Sequence, residues 1–307
     1  MSVNIGYIDV YESGKRVPID ALLNKINNSK QNQSLVVKNQ WDVEYIFNID
    51  KNEEKTIFIE LMNKYTKKIG EAINEIDYII YCQGDSDCNR LDVAYYIQKK
   101  YKIENARVFS INQGCSALVE AINIATKLIN NNKNSRILIL SSIFTESDEE
   151  RIVGPTIISD GIGILEITNQ SSGIYEILDN HGKTDGEVTE ENFFSNSSSA
   201  KIVKNGSKLI SELVARNNLS LQNIVKIVPL STCRAVWELH CEMLKYPIEN
   251  VFLENIRYGG HIGCIDTLRN LKTVFESGSV SKGDFLVCYG ISFGTSWDAT
   301  LLKVVSN

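Results

Sequence analysis

No two of the seven cysteines in this chain stand in a CxxC pair, and their count is odd. Both facts argue against a structural zinc site or a disulfide framework and for reduced thiols. No apolar run approaches the roughly 20 residues that a membrane span needs, and polar breaks interrupt the N-terminal stretch where a signal peptide would be continuously apolar. The expectation is a cytoplasmic protein without a membrane partner. A basic excess is missing as well: the net charge is −6, which disfavours nucleic acid as the main partner, because phosphate neutralisation needs clustered Lys and Arg. Low-complexity sequence is limited to short runs such as NNNKN and SNSSSA, which read as loops. Histidine is scarce, so chemistry that needs an imidazole has only His181, His240 and His261 to draw on.

What is present suits a large core. The 307 residues are 43% hydrophobic and 23% charged, enough for about two domains of ordinary size. VNIGYIDV reads as a strand, PIDALLNKI as a short helix starting at Pro18, and residues 53–76 as a helix running into the buried strand DYIIYC. Residues 92–100 look helical, a strand follows at 106–111, and SRILILSS is a β-branched core strand. In ISDGIGILEIT the two glycines read as a turn feeding a strand at 164–168. Residues 30–50 give no assignment. Residues 169–200 read as irregular, with His181 in an exposed loop, while His240 in VWELHCEML sits on a helix as a surface or core histidine.

The stretch SINQGCSALVEAINIATKLI organises the rest. A strand ends, the chain turns at Gly114, and Cys115 opens a helix whose Leu118, Ile122, Ala125 and Ile129 recur at three- and four-residue intervals. A thiol there feels the positive end of the helix dipole and unpaired amide N–H groups, which favours the thiolate. Cys115 is the candidate nucleophile; the alternative is a buried structural cysteine.

From Val203 the order of elements restarts. A helix at 203–216 precedes IVKIVPLS, VFLENIRYGGHIGCIDTLRNL echoes RVFSINQGCSALVEAINIA with Gly263 and Cys264 in the places of Gly114 and Cys115, and DFLVCYG echoes RILILSS. SFGTSWDATLLKV completes the series by echoing ISDGIGILEIT, and the offset stays near 147 to 149 residues throughout. A duplicated α/β unit with mostly parallel sheets covered on both faces accounts for this.

Those motifs together, with SDGIGILEI, RYGGHIGCIDTLRNL and KGDFLVCYGISFGTSW, resemble the thiolase superfamily, specifically ketoacyl-acyl-carrier-protein synthase III and its relatives. The resemblance implies an α/β, five-layered αβαβα fold built from two halves. Residues 1–170 would carry the nucleophile, and residues 171–307 the His/Asp pair and the oxyanion loop. It also implies a homodimer, no bound cofactor or metal, and an acyl donor carried on the phosphopantetheine of an acyl carrier protein or on CoA. Two departures stand out. The catalytic His of the condensing enzymes falls on Leu230, and where they place an Asn after the Tyr-Gly pair this chain has Gly260 and then His261. GGHIGCID, with His261 and Asp266, is similar to a Cys-His-Asp side branch of secondary metabolism whose members resemble ester- or amide-forming acyltransferases.

Residue chemistry agrees with that branch. Decarboxylative condensation asks for two neutral donors at the thioester oxygen, whereas transfer to an alcohol or amine asks for a thiolate and one general base. His261 can serve both steps if Asp266 fixes its tautomer, the alternative for Asp266 being a helix-capping acid. The resemblance implies an oxyanion hole from the backbone N–H groups of Cys115 and Gly294, with Ser292 assisting. It also makes the helix bearing Lys201, Lys204 and Lys208 the carrier-docking helix; a solvated lysine face is the alternative. The expected activity is acyl transfer from a thioester through Cys115 to a small-molecule alcohol or amine. A decarboxylating β-ketoacyl synthase and a noncatalytic thiolase-like partner subunit are the competing readings.

Overall fold

Every long β-branched run of the sequence becomes a strand of one nine-stranded sheet, and every amphipathic stretch between them becomes a covering helix. The computed structural model describes residues 2–12, 15–26, 43–83, 91–130, 135–154, 156–170, 173–188, 195–292 and 296–306. The strands are β1 (Val3–Val10), β2 (Lys15–Pro18), β3 (Tyr45–Asn48), β4 (Ile76–Gln83), β5 (Arg107–Asn112), β6 (Arg136–Ile143), β7 (Ile152–Val153), β8 (Thr156–Ile157), β9 (Gly161–Thr168), β10 (Tyr175–Thr184), β11 (Ile224–Val228), β12 (Phe285–Ile291) and β13 (Ser296–Val304). The helices are α1 (Ile19–Leu23), α2 (Glu54–Ile69), α3 (Leu91–Lys100), α4 (Ala117–Asn130), α5 (Asn196–Arg216), α6 (Arg234–Leu244) and α7 (Ile265–Glu276). None is long and apolar enough to cross a membrane among the described residues.

The sheet contains the same unit twice. In the first, β4 lies parallel between β5 and β6, and β9 and β1 follow antiparallel. In the second, β11 lies parallel to β12, and β13 and β10 follow antiparallel. The counterpart of β5 is reduced to a parallel bridge between Ile227 and Val251. β1 and β10 join the units through Val3–Ile5 and Tyr175–Ile177, and the register of each strand shifts just beyond that junction. Such irregularities bend a strand.

Helices α4 and α7 pack against strands of both units, α2 and α3 against the first only, and α5 and α6 against the second only. The layers therefore run α2/α3, first sheet, α4/α7, second sheet, α5/α6. Composition follows from position. Trapped between two sheets, α4 buries Ala117, Leu118, Val119, Ala121, Ile122, Ala125 and Ile129, whereas the outer helix α2 buries mainly one face through Ile57, Phe58, Leu61, Met62 and Tyr65. Each fully buried aliphatic side chain contributes roughly 1.5–3 kcal/mol.

Several expectations need correction. Pro18 caps α1 from outside it, and α2 stops at Ile69 before a 3-10 segment, Gly70–Glu75, leads into β4. The SDGIG glycines lie within the span from Ser159 into β9 and make no turn there: a Cβ on Gly161 would fall 2.1 Å from the Ile262 side chain, so the glycine lets the chain before α7 lie directly on the strand. Residues 169–200 contain β10 and the start of α5, so His181 is on a strand rather than in a loop, with Nε2 3.3 Å from Glu212. The outer half of β10 is exposed, which removes the apolar alternation by which a strand is recognised.

A buried bidentate ion pair braces the connection between β6 and β9. Arg151 reaches Asp160 through Nη1–Oδ1 at 3.0 Å and Nη2–Oδ2 at 2.8 Å, and Asp160 also accepts the N–H groups of Ile49 and Thr145. Removing one partner of such a pair leaves the other charge buried and alone. Arg151→Met is expected to lower the unfolding free energy by about 3–5 kcal/mol in urea titration, and a loss within the range of ordinary surface substitutions contradicts this role.

Candidate active site

β5 carries the chain to the edge of the first sheet and ends beside the carboxyl end of β4, where Gln83 pairs with Asn112. There Gly114, Cys115 and Ser116 form a 3-10 turn that runs into α4. Cys115 is half-buried, on the turn just before the α-helix proper.

His261 arrives from the other unit. Gly260, at φ +60°, leaves no space for a Cβ, which would fall 2.8 Å from the Ile157 carbonyl. This allows the main chain of His261 to lie against β8: its N–H donates to the Ile157 carbonyl at 2.9 Å, and its carbonyl accepts from Ser159 at 2.8 Å. The first unit thus holds the backbone of a residue that belongs to the second. The side chain is then aimed by Asp266, which is fully buried in the first turn of α7.

Nδ1 of His261 and Oδ2 of Asp266 are 2.5 Å apart, and Nε2 of His261 is 3.2 Å from the Cys115 sulfur. The same Oδ2 accepts the Ser231 N–H at 2.7 Å, and Oδ1 accepts the Ile262 N–H at 3.0 Å. One carboxylate thus orients the ring and holds the turn ahead of α7, whose own first turn has no side-chain cap. The five-residue spacing closes because the turn between His261 and Cys264 brings the imidazole back over the helix start. Burial of His261 would lower its pKa, but the Asp266 carboxylate and the Cys115 sulfur beside it outweigh burial and raise it to about 10. The imidazolium faces the sulfur at neutral pH, an arrangement that favours a thiolate partner.

A cavity opens above this pair. Apart from Cys115 and His261 its walls are mainly aliphatic, from Val153, Ile158, Ile202, Val203, Val236 and Leu239, with no Lys, Arg, Asp or Glu among the described residues that line it. Leu239 is half exposed, so the cavity reaches the surface between α5 and α6. Among the described residues, no group of three or more His, Cys, Asp or Glu side chains is arranged to hold a metal.

The structure brings Cys115, His261 and Asp266 together, sets Ser292 on the same cavity and leaves the three lysines outside it. Gly294 lies outside the described residues; Ser292 lines the cavity, and its hydroxyl accepts from Ser116 at 3.2 Å. On α5, Lys204 is exposed, Lys201 pairs with Glu187, and Lys208 reaches Glu212 at 3.5 Å. The opposite face of the helix supplies Ile202 and Val203 to the cavity. Leu230 is buried, and the segment around it is bound to α7 through Ser231 and through the Pro229 carbonyl, which accepts from Asn270 at 2.7 Å. His240 is a core histidine: it hydrogen-bonds Ser207 at 2.9 Å, stacks on Trp237, and is driven to about 4 by burial. Sequence reasoning missed the β7–β8 wall and the backbone clamp on His261, because main-chain pairing across the two units leaves no mark on residue types.

Comparison with known proteins agrees with this architecture. Residues 214–304 match the family model described as 3-oxoacyl-[acyl-carrier-protein] synthase III, C terminal. The chain is 26% identical over 249 residues to a β-ketoacyl-[acyl-carrier-protein] synthase III of Rickettsia bellii, covering 76% of this chain and 78% of that protein. Among solved structures it is similar to ChlB3, described as an acyltransferase, with TM-score 0.85, 15% identity and coverage of 100% and 98%. It is likewise similar to the 3-oxoacyl-[acyl-carrier-protein] synthase III of Aquifex aeolicus, with TM-score 0.80, 17% identity and coverage of 98% and 99%.

Asp266→Asn removes the larger of the two charges that raise His261, leaving the Cys115 sulfur alone against burial. The imidazolium is then less favoured at neutral pH, and so is its stabilisation of the sulfur. Alkylation of Cys115 by iodoacetamide at neutral pH is expected to slow by roughly tenfold or more, the equivalent of about one pKa unit. Raising the pH should restore it; an unchanged neutral rate rejects the ion pair.

Proposed function

We propose that this chain, which is similar to ketoacyl synthase III proteins in sequence and fold, is an acyltransferase that takes an acyl group from a thioester onto Cys115 and passes it to an alcohol or amine. The observation that carries this reading is the single imidazole. His261 spans Cys115 and Asp266, and the position of a second histidine is filled by the buried Leu230.

The Cys115 thiolate attacks the thioester carbonyl and forms a new carbon–sulfur bond. The oxyanion is held by backbone donors, the Cys115 N–H among them. When the tetrahedral species collapses, the old carbon–sulfur bond breaks and the pantetheine sulfur leaves with the proton of the His261 imidazolium. His261 is now neutral, beside an uncharged thioester. Nε2 accepts a proton from the incoming hydroxyl or amine as its oxygen or nitrogen attacks the acyl carbon. The second collapse releases an ester or amide and returns the thiolate and the imidazolium. Asp266 orients the ring throughout.

The described lining, mainly aliphatic apart from Cys115 and His261, suits an aliphatic acyl group. The donor in this reading is an acyl carrier protein or CoA, with no metal or bound cofactor required. A carrier protein would dock on α5, where Lys201, Lys204 and Lys208 can exchange their local acidic partners for its acidic surface. The reading also takes the protein as a cytoplasmic homodimer in secondary metabolism. A decarboxylating synthase is the second reading, favoured by the name of the Rickettsia bellii relative.

Incubation with a panel of acyl-carrier-protein and acyl-CoA thioesters, read by intact mass, is expected to give an adduct that Cys115→Ala abolishes. No adduct from any donor would instead favour a noncatalytic subunit. His261→Ala should slow transfer by roughly 10²- to 10⁴-fold while some loading persists. Loss of carbon dioxide from a malonyl donor with carbon–carbon bond formation decides for the synthase.

A further inference from the structure

One buried carboxylate near the site has no part in the chemistry above. Asp298 lies on β13 with 5% of its surface exposed. Its cross-strand neighbours are both glycines, Gly182 on β10 and Gly290 on β12. The missing side chains leave room on both flanks: a Cβ on Gly182 would fall 2.6 Å from Asp298 Oδ1. Cross-strand partners share a face of the sheet, and the Gly290 position is covered by Ser116, whose Cα and Cβ lie 3.4 Å from where a Cβ would be. The carboxylate therefore faces the turn that carries Cys115. Oδ2 accepts from the Gln113 side-chain amide at 3.0 Å, and the Ser116 hydroxyl, which hydrogen-bonds the Gln113 carbonyl and Ser292, also acts on it.

We propose that Asp298 is a positioning residue whose ionisation sets the order of the Gln113–Ser116 turn and thereby the reactivity of Cys115. The inference rests on the reading of Cys115 as the nucleophile. Gln113 is the residue at which β5 ends and the turn begins, so a bond to its side chain fixes where the turn starts. An amide donates more strongly to a carboxylate than to a carboxylic acid. As Asp298 ionises, the turn is tied more firmly to β13.

The charged surroundings make that ionisation occur near neutrality. From α4 the facing ionisable group is Glu120; Tyr289 of β12 packs on Trp237 and His240 on the other face of the sheet and feels the carboxylate only through it. On β10 the residues flanking Gly182 are engaged elsewhere, His181 with Glu212 and Lys183 with Asn205. From the turn the facing groups are neutral. Burial, reinforced by Glu120 and opposed by the Ser116 hydroxyl, pushes Asp298 up to about 7.

The test is the pH profile of Cys115 alkylation by iodoacetamide in the full-length protein, followed by intact mass. The wild type is expected to show a several-fold rise centred near neutrality, a range where His261 stays protonated. In Asp298→Asn, whose amide can still accept from Gln113, the rise should be gone. Gln113→Leu should likewise flatten it, because the bond through which the carboxylate acts on the turn is lost; this variant decides the matter if Asp298→Asn does not fold. The same rise in Asp298→Asn, or an undiminished one in Gln113→Leu, overturns the proposal. Alkylation needs neither acyl donor nor acceptor, so a failed acyl-transfer assay leaves this result standing, and the converse also holds.

Discussion

A fully buried carboxylate without water must find hydrogen-bond donors or cease to be charged. Asp266 meets this demand from three directions: the Ser231 N–H beyond β11, the Ile262 N–H at the head of α7, and the His261 ring. Each donor fixes a different segment, so satisfying one charge also defines the site. The segment after β11 is drawn toward α7, the turn before α7 is closed, and the imidazole is aimed at Cys115. Loss of any one donor would leave the carboxylate underpaired.

The duplicated unit explains both where the site lies and why it is used only once. Cys115 and Cys264 stand at corresponding places, each after a glycine and ahead of a central helix. Their surroundings differ. Cys264 is fully buried, lies 3.1 Å from the Ser141 hydroxyl, and is pushed up to about 12 by burial, so it remains a thiol in the core. Cys115 opens on the cavity with an imidazole 3.2 Å away. Helices α4 and α7 touch strands of both units, which brings the two equivalent turns to one place and sets His261 of the second unit beside Cys115 of the first.

The parts of this arrangement legible in the sequence were those encoded by residue type and period. Strand runs such as RILILSS, the helix after Cys115 and the repeat offset all follow from burial that repeats along the chain, and GGHIGCID put two unusual polar residues at a helix start. Other parts depend on contacts between distant backbones. The clamp of Ile157 and Ser159 on His261 uses only N–H and C=O groups, so any side chains could have stood there. The half-exposed β10 hid for the opposite reason, since its polar outer residues copy a loop's composition. Asp160 was in plain view within SDGIG, but its ion pair with Arg151 could not be read from a motif that resembles a glycine turn.

The charge on His261 also bears on the order of the proposed cycle. Before loading, the ring is held protonated by two anions, Asp266 and the Cys115 sulfur. Acylation converts the sulfur into a neutral thioester and removes one of them, while burial continues to disfavour the imidazolium. The ring therefore gives up its proton most readily at the moment the pantetheine sulfur departs and needs one. It becomes a base only after the acyl group is in place, when an acceptor needs deprotonating. An acceptor arriving before the donor would meet a protonated ring and an unacylated sulfur. In the proposed cycle these electrostatics favour a ping-pong sequence, with one imidazole acting as acid and then as base.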